Sequence, residues 1–150
     1  MEATVADIMR TRFTSFKKAD PITKAIGVFV SDPDAVFPVV DDEGRIIGEI
    51  SQHEALKLAL EKRQLSGERI LGPLGIRNVM ERTGTTVGDF MRTNEVKIRS
   101  TRKVSDAAQM MLDTNVLTLE VVDDRMNPVG FISELDILKY VKKKLQGNAK

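Results

Sequence analysis

The sequence predicts a mixed α/β (α+β) fold in which two βαββα repeats pack face to face about a pseudo-two-fold axis. Three observations support this prediction. The chain of 150 residues repeats itself after 82 positions. Each copy runs through strand-like and helix-like patterns in the same order. Each copy also ends a strand and begins a helix with Ser, two further residues and an acid, which is the pattern of a capping box.

The internal repeat is the strongest of these observations. VADIMRT from Val5 aligns with VGDFMRT from Val87, and FPVVDDEGRIIGEIS from Phe37 aligns with LEVVDDRMNPVGFIS from Leu119. About fifteen positions in the first copy are identical to their partners without a gap, where two unrelated segments would share only a few. We infer that the two copies are related structural units.

The first half of each copy predicts a helical turn, a strand and a helix. VADIMRT and VGDFMRT read as short amphipathic turns, and the alternating FTSFK and EVKIR read as short strands. PITKAIGVFVSD places Pro21 and Ile22 at a helix start. KVSDAAQMMLDTN predicts the equivalent helix, with Ser105 as its N-cap.

The second half of each copy predicts a hairpin and a capped helix. AVFPVV and LTLEVV are buried strands, DDEGR and DDRMN are turns, and IIGEI and PVGFI are the return strands. The helices SQHEALKLALEKRQ and SELDILKYVKKKL each follow a capping Ser, with Glu54 or Asp136 at the third helical position.

These elements divide the chain into three parts. Residues 1–64 form the first copy, 65–86 form a glycine-containing connector in which IRNVMER predicts a short helix, and 87–150 form the second copy with its basic tail. A unit of this size buries too little apolar surface to form a stable hydrophobic core by itself. We therefore expect the two sheets to bury their apolar faces against each other.

Composition narrows the function classes. The formal net charge is +1, whereas a general nucleic-acid binder usually has a clear excess of basic residues. The absence of cysteine excludes disulfides, thiolate metal sites and thiol catalysis, and it fits a reducing compartment. The sequence shows no apolar run of membrane-spanning length and no secretory signal at its start. We therefore expect a cytoplasmic protein.

On these motifs the chain resembles tandem cystathionine-β-synthase-type (CBS) domains, a pair also called a Bateman module. The motifs are DIMRT, DFMRT, FPVVDDEGRIIGEIS and VVDDRMNPVGFISELDIL, and the resemblance extends from about Val5 to about Lys144. It implies a regulatory binding module with no catalytic role and no required cofactor. It also implies an adenosine-containing regulatory ligand (AMP, ADP, ATP or S-adenosylmethionine) in a cleft between the repeats, a homodimer, and a regulated partner protein of unknown identity.

The second copy contains the better candidate site. Gly130 allows a backbone or a ligand to approach its strand closely. Ser133 places a hydroxyl at a helix N-terminus, which favours phosphate, and the Asp136 carboxylate can accept hydrogen bonds from ribose hydroxyls. The resemblance adds an adenine slot built from Val96, Lys97, Ile98, Val121 and Val122. Glu120 would weaken the binding of an anion there unless its side chain points to solvent.

The first copy departs from this pattern. Ser51 is retained, but the acid is Glu54, one methylene longer than Asp136. His53 precedes it and could face a phosphate. The resemblance places the first-copy base slot at Thr14, Ser15, Phe16, Val39 and Val40. We therefore expect the good site to be the one at Ser133 and Asp136.

Simpler interpretations remain open at this point. Ser133 and Asp136 can be a helix cap and a first-turn acid with no ligand. His53 can be an exposed helix residue, and the Asp pairs at Asp41 and Asp123 can be turn residues with no metal. For the whole protein, the alternatives are a ligand-free dimerisation module and a nucleic-acid-binding protein that uses the basic tail with Arg92, Arg99 and Arg102.

Overall fold

The computed structural model describes residues 2–32, 36–59 and 86–148. Most of the predicted connector, including IRNVMER, lies outside the described residues. The first part of the chain contains α1 (Val5–Ile8), α2 (Ile22–Ser31), β1 (Phe37–Val40), β2 (Ile46–Ile50) and α3 (Gln52–Ala55). The second part contains α4 (Val87–Phe90), β3 (Arg92–Thr93), β4 (Lys97–Arg99), α5 (Val104–Thr114), β5 (Thr118–Val122), β6 (Pro128–Ser133) and α6 (Glu134–Asn148).

Two three-stranded sheets form within the described residues. One has the order β1-β2-β3 and the other the order β4-β5-β6. The hairpin strands pair antiparallel, with Val39 opposite Gly48 in the first sheet and Val121 opposite Gly130 in the second. The register shifts at the equivalent place in both hairpins, directly after Val39 and Val121. The repeat in sequence is therefore a repeat in hydrogen-bonding pattern.

The opening segment of each copy, which is VADIMRT from Val5 in the first and VGDFMRT from Val87 in the second, packs on the other copy. Strand β3 extends the first sheet by pairing Thr93 with Gly48, and Arg10 forms the equivalent bridge to Phe131 of the second sheet. The apolar side chains follow the backbone, because Val5 lies in the core of the second copy and Val87 in the core of the first. This exchange joins the two copies through main-chain hydrogen bonds as well as through side-chain packing.

Each copy has its own apolar core, and a third cluster joins them. The first core is built around Phe16, Phe29 and Phe37, and the second around Leu119 and Ile132 together with aliphatic side chains of α5. Between them, Phe131 of the second copy packs with Val40 and Ile46 of the first. The α+β fold of two repeats facing each other is thus confirmed.

Two local predictions need correction. Helix α5 begins at Val104 with Lys103 as its N-cap, so Ser105 lies in the first turn instead of capping it. Asp106 explains the earlier start, since its carboxylate accepts the Lys103 N–H at 3.2 Å. The hydroxyl and N–H of Ser105 instead hydrogen-bond Glu2, which lowers the pKa of that carboxyl. The predicted strand FTSFK reduces to a single parallel bridge between Phe16 and Val39.

In the part of the chain that the structure describes, none of the helices has the length and apolar character needed to cross a membrane.

Candidate functional site

A cavity of about 310 Å³ opens between the two copies, where β2 and β6 end and α3 and α6 begin. Ser51 and Ser133, which occupy equivalent positions in the repeat, both line it. The other lining residues are Arg10, Asp32, Val36, Gln52, Leu117, Glu134, Leu135, Leu138 and Lys139. The volume lies at the lower end of the range for small-molecule sites, about 300–1,000 Å³. A ligand seated here would contact both copies at once.

Ser133 and Asp136 form the predicted capping box at the start of α6. The Asp136 carboxylate accepts the Ser133 N–H at 2.8 Å and the Ser133 hydroxyl at 3.0 Å, and the Ser133 Oγ accepts the Asp136 N–H at 3.3 Å. Only 8% of the Asp136 side chain is exposed. The capping role is therefore confirmed. Asp136 itself is not among the described lining residues of the cavity, but it holds Ser133 and Arg10, which are.

Arg10 reaches this carboxylate from the opening segment of the first copy. Its Nε donates to both Asp136 oxygens, at 2.9 and 3.1 Å, and its Nη2 donates to the Ser133 Oγ at 3.1 Å. The guanidinium lies over the Phe131 ring, 5.2 Å from its centroid. This position depends on the segment exchange, because the Arg10–Phe131 bridge holds the Arg10 backbone beside β6.

The cavity combines charged and apolar groups. Arg10 and Lys139 supply positive charge, while Asp32 and Glu134 supply negative charge. At the N-terminus of α6, the Glu134 N–H already donates to the Leu117 carbonyl at 3.0 Å, and the Asp136 N–H donates to Ser133. The two cations are therefore better placed than the helix terminus to meet a phosphate.

The apolar part of the lining could hold a planar base. It consists of Val36 of the first copy and Leu117, Leu135 and Leu138 of the second. Small-molecule sites combine such an apolar wall with a few placed polar groups, which here are the two serines and Arg10.

The equivalent helix start of the first copy, at Ser51, has the same cap but different neighbouring residues. Glu54 accepts the Ser51 N–H at 2.9 Å and the Ser51 hydroxyl at 2.8 Å, and its side chain is buried. Arg92, which aligns with Arg10, donates to the Asn115 carbonyl at 2.6 Å and lies 3.7 Å from Glu49. Arg10 therefore pairs with the capping acid Asp136 of the second copy, whereas the equivalent Arg92 contacts Asn115 and Glu49.

Glu49 explains this difference. Its fully buried carboxylate accepts the Leu117 N–H at 3.0 Å, the Thr118 hydroxyl at 2.7 Å and the Asn94 amide at 2.8 Å. We call Glu49, Asn94, Thr118 and Arg92 the Glu49 cluster. The repeat places Phe131 at the position equivalent to Glu49. Glu49 therefore forms a buried polar network that links the two copies.

The structure places the predicted second-copy base slot away from the cavity. Ile98, Val121 and Val122 are buried, while Val96 and Lys97 are half-buried. None of these residues is among the described lining of the cavity. The hairpin register is the reason, because Ser133 lies opposite Thr118, and Val121 lies three residues further along β5, about 10 Å away.

The first-copy candidates are also dispersed. Thr14 and His53 are exposed, Ser15 is half-buried, and Phe16 and Val39 lie in the first core. Val40 belongs to the cluster that joins the copies. Of the first-copy residues proposed from the sequence, the described cavity lining contains Ser51.

Gly130 and Glu120 have structural roles in the contact between the copies. A Cβ at Gly130 would lie 2.8 Å from the Met9 Sδ and 2.9 Å from the Arg10 carbonyl oxygen, so here glycine admits the exchanged segment. Glu120 is buried and accepts the Ile46 N–H at 2.9 Å. It therefore points neither to solvent nor into the cavity.

The turn interpretation of the Asp pairs agrees with the structure. Asp41 accepts two turn N–H groups, from Glu43 and Arg45, at 2.9 and 2.8 Å. Asp123 accepts the N–H groups of Arg125 and Asn127, each at 2.9 Å, and these bonds lower the pKa of its carboxyl. Among the described residues, no group of three or more His, Asp or Glu side chains is arranged to hold a metal ion.

Sequence reasoning missed Arg10, Val36, Leu117 and Lys139. A signal for Leu117 was available, because counting outward from the DDRMN turn pairs Ser133 with the first residues of LTLEVV. Lys139 follows Leu135 by four residues on the same helix face. The sequence carries no comparable signal for Arg10, since its position depends on the exchange of opening segments.

Comparisons with known proteins agree with this architecture. The CBS domain family model matches residues 5–61 and 87–143. The chain is 27% identical to the uncharacterized protein MJ1404 of Methanocaldococcus jannaschii over 82% of its own length, and it spans 25% of the length of that relative.

Solved structures show the same fold. CBSX2 in complex with AMP, a protein of Arabidopsis thaliana, superposes with a TM-score of 0.67 at 23% identity, covering 93% of this chain and 96% of that one. The CBS domain pair of MJ0100, in complex with 5'-methylthioadenosine and S-adenosyl-L-methionine, gives 0.65 at 19% identity, with 96% and 99% covered.

Proposed function

Because the chain belongs to the CBS domain family, we propose that it is a regulatory module that binds an adenosine-containing nucleotide between its two copies and signals the bound state to a partner protein. The proposal gives it a binding role and no catalytic one, in the cytoplasm. The ligand class is AMP, ADP, ATP or S-adenosylmethionine. CBSX2 and the MJ0100 pair, which share the fold, were solved with ligands of this class.

The observation that carries the proposal is the cavity between Ser51 and Ser133, with the Asp136 carboxylate hydrogen-bonded to the cavity-lining Ser133. In our proposal the ribose hydroxyls donate to Asp136, and the base lies against Leu117 and the α6 leucines. This arrangement locates the apolar slot in the cavity, whereas the resemblance alone suggested the strand valines Val121 and Val122. The phosphate lies toward Arg10 and Lys139.

Binding would regulate by acting on the contact between the copies. The cavity wall includes residues of both copies, and Arg10 crosses from one to the other. A ligand that fits the cavity in one arrangement of the copies better than in another shifts the population toward it. The size of that shift is limited by the difference between the two affinities.

The test is isothermal titration calorimetry with AMP, ATP and S-adenosylmethionine on the wild type, Asp136→Ala and Glu54→Ala. We expect one site per chain and a loss of affinity of about tenfold or more in Asp136→Ala, because a hydrogen bond to a charged group is worth about 1.5–3 kcal/mol. Glu54→Ala is the matched comparison, since it removes the equivalent helix cap beside Ser51, and it should cost less affinity than Asp136→Ala because the proposal gives Glu54 no contact with the ligand. No heat from any of the three ligands at millimolar concentration would reject the proposal.

A second candidate is a ligand-free dimerisation module. Helix α6 exposes Leu138, Val141 and Leu145 at 61%, 40% and 65%, and their spacing forms a stripe along one helix face. Such a stripe is suited to a second copy of the chain, so we propose a homodimer under either candidate. A constant dimer mass combined with a melting temperature that no nucleotide raises would favour this second function.

A further inference from the structure

Both oxygens of the Asp136 carboxylate already accept a hydrogen bond from Arg10. Oδ2 accepts three hydrogen bonds, from the Ser133 N–H, the Ser133 hydroxyl and the Arg10 Nε, and Oδ1 accepts from the same Nε at 2.9 Å. A carboxylate oxygen offers about two lone pairs, so Oδ2 has no capacity for a further donor. Oδ1 keeps one free lone pair, but the Arg10 Nε lies within hydrogen-bond distance of both oxygens of a carboxylate that is only 8% exposed. The paired hydroxyls of a ribose must therefore displace Arg10 to bind both oxygens of Asp136.

Moving Arg10 is costly unless the ligand provides a replacement. Asp136 is only 8% exposed, so removing its cationic partner leaves a nearly buried negative charge stabilised only by its hydrogen bonds to Ser133. The guanidinium loses its carboxylate as well. A nucleoside without phosphate supplies hydroxyl donors to Asp136 but no anionic group to pair with the guanidinium.

A phosphate would provide that replacement. Arg10 is 40% exposed, lines the cavity and extends a planar guanidinium that matches the geometry of phosphate oxygens. It can turn from Asp136 into the cavity while its backbone stays bridged to Phe131. A single movement would then release the ribose acceptor and create the phosphate contact.

We propose that Arg10 selects adenosine 5'-phosphates over adenosine derivatives that carry no anionic group, because it occupies the ribose acceptor Asp136 until a phosphate draws it away. This inference rests on the proposed function and narrows its ligand class. Adenosine, which carries no anionic group, belongs to the disfavoured group, whereas S-adenosylmethionine carries an α-carboxylate that a guanidinium also binds and is therefore outside this comparison.

The test compares AMP with adenosine by calorimetry on the wild type and Arg10→Gln. We expect the wild type to bind AMP at least about tenfold more tightly than adenosine, since a charge-assisted hydrogen bond is worth that much or more. In Arg10→Gln, the affinity for AMP should fall by about tenfold to a hundredfold, while the affinity for adenosine should stay the same or rise. The preference for AMP should then disappear.

Two further variants complete the design. Arg12→Gln is the matched control, because Arg12 is an exposed arginine of the same segment and its loss changes the net charge equally; we expect wild-type values for both ligands. Arg10→Lys keeps the charge but loses the planar guanidinium. Its preference for AMP over adenosine should lie between those of the wild type and Arg10→Gln. If Arg10→Gln does not fold, Arg10→Lys and the wild-type preference decide the question.

The possible failures are distinct. Equal binding of AMP and adenosine by the wild type overturns the inference but leaves the proposed function standing. Equal weakening of both ligands in Arg10→Gln also overturns it, because Arg10 would then only position Asp136. Binding of neither ligand to the wild type, while ATP and S-adenosylmethionine also give no heat, rejects the proposed function itself.

Discussion

The two copies begin their last helices in the same way but surround those helix starts differently. At Ser133, the neighbouring arginine pairs with the capping acid and lies over Phe131. At Ser51, the equivalent arginine is directed to Glu49 and to a backbone carbonyl. The capping acid is buried in both places. The difference arises from one position of the return strand, where the second copy has an aromatic ring and the first has a carboxylate.

This comparison shows which parts of a duplicated unit can diverge. The caps, the hairpin turns and the close glycine contacts are the same in both copies, because each satisfies backbone groups that every copy has. The residue two positions before the capping Ser faces the other copy and carries no such requirement. It is therefore the position at which the copies could diverge, with the buried Glu49 carboxylate in the first and the Phe131 ring beneath Arg10 in the second.

The largest effect is expected when the Glu49 cluster is broken. Glu49→Ala should lower the free energy of unfolding by about 3–5 kcal/mol, since it leaves Arg92 without its buried carboxylate partner and removes an acceptor from three donors, two of them buried. Glu120→Ala removes a buried carboxylate with fewer partners, so it should cost less, about 1–3 kcal/mol. Both losses can be measured by urea unfolding.

The order of the two variants is the decisive result. If Glu120→Ala costs as much as Glu49→Ala, the Glu49 cluster is not the stronger link between the copies. Glu49→Gln provides a control for volume, because the amide oxygen can still accept from part of the cluster. It should lose less stability than Glu49→Ala.

The order of elements and the helix caps could be predicted from the sequence because they depend on local patterns. The frame from Gly130 to Asp136 contains the strand end, the cap and the first-turn acid within seven positions, and the structure forms all of them. The hairpins likewise follow from their turn residues. There are two exceptions. At Ser105 the predicted cap is wrong by two positions, because Asp106 supports an earlier helix start, and the predicted strand FTSFK forms only the Phe16–Val39 bridge.

The rest of the site could not be predicted because it depends on contacts between the copies. In IIGEI, Glu49 alternates with apolar residues and has the pattern of a solvent-facing position, yet the facing backbone of Leu117 makes it a fully buried acceptor. Arg10 lies far from Asp136 in sequence, and only the exchanged segment brings them together. Local periodicity contains no information about either contact.

A feature that is the same in both copies should respond equally to mutation. A Cβ at Gly48 would lie 2.8 Å from the Arg92 carbonyl oxygen, and one at Gly130 would lie 2.9 Å from that of Arg10. Because a backbone oxygen cannot rotate away, Gly48→Ala and Gly130→Ala should each destabilise the protein by about 1–3 kcal/mol. Unfolding in urea measures both. A large cost at one glycine and none at the other would show that only one opening segment is firmly held.

The smallest effect compares the two hairpin turns at their left-handed position. Gly44 has φ +80°, which suits glycine, whereas Met126 has φ +67°, which a side chain adopts at a cost of about 1–2 kcal/mol. Met126→Gly should therefore raise the free energy of unfolding, by less than about 1 kcal/mol, because glycine also gains entropy in the unfolded chain. Gly44→Ala should lower it by about 1 kcal/mol. Thermal unfolding of the two variants should shift in opposite directions, and a shift in the same direction would mean that the turns do not share this geometry in solution.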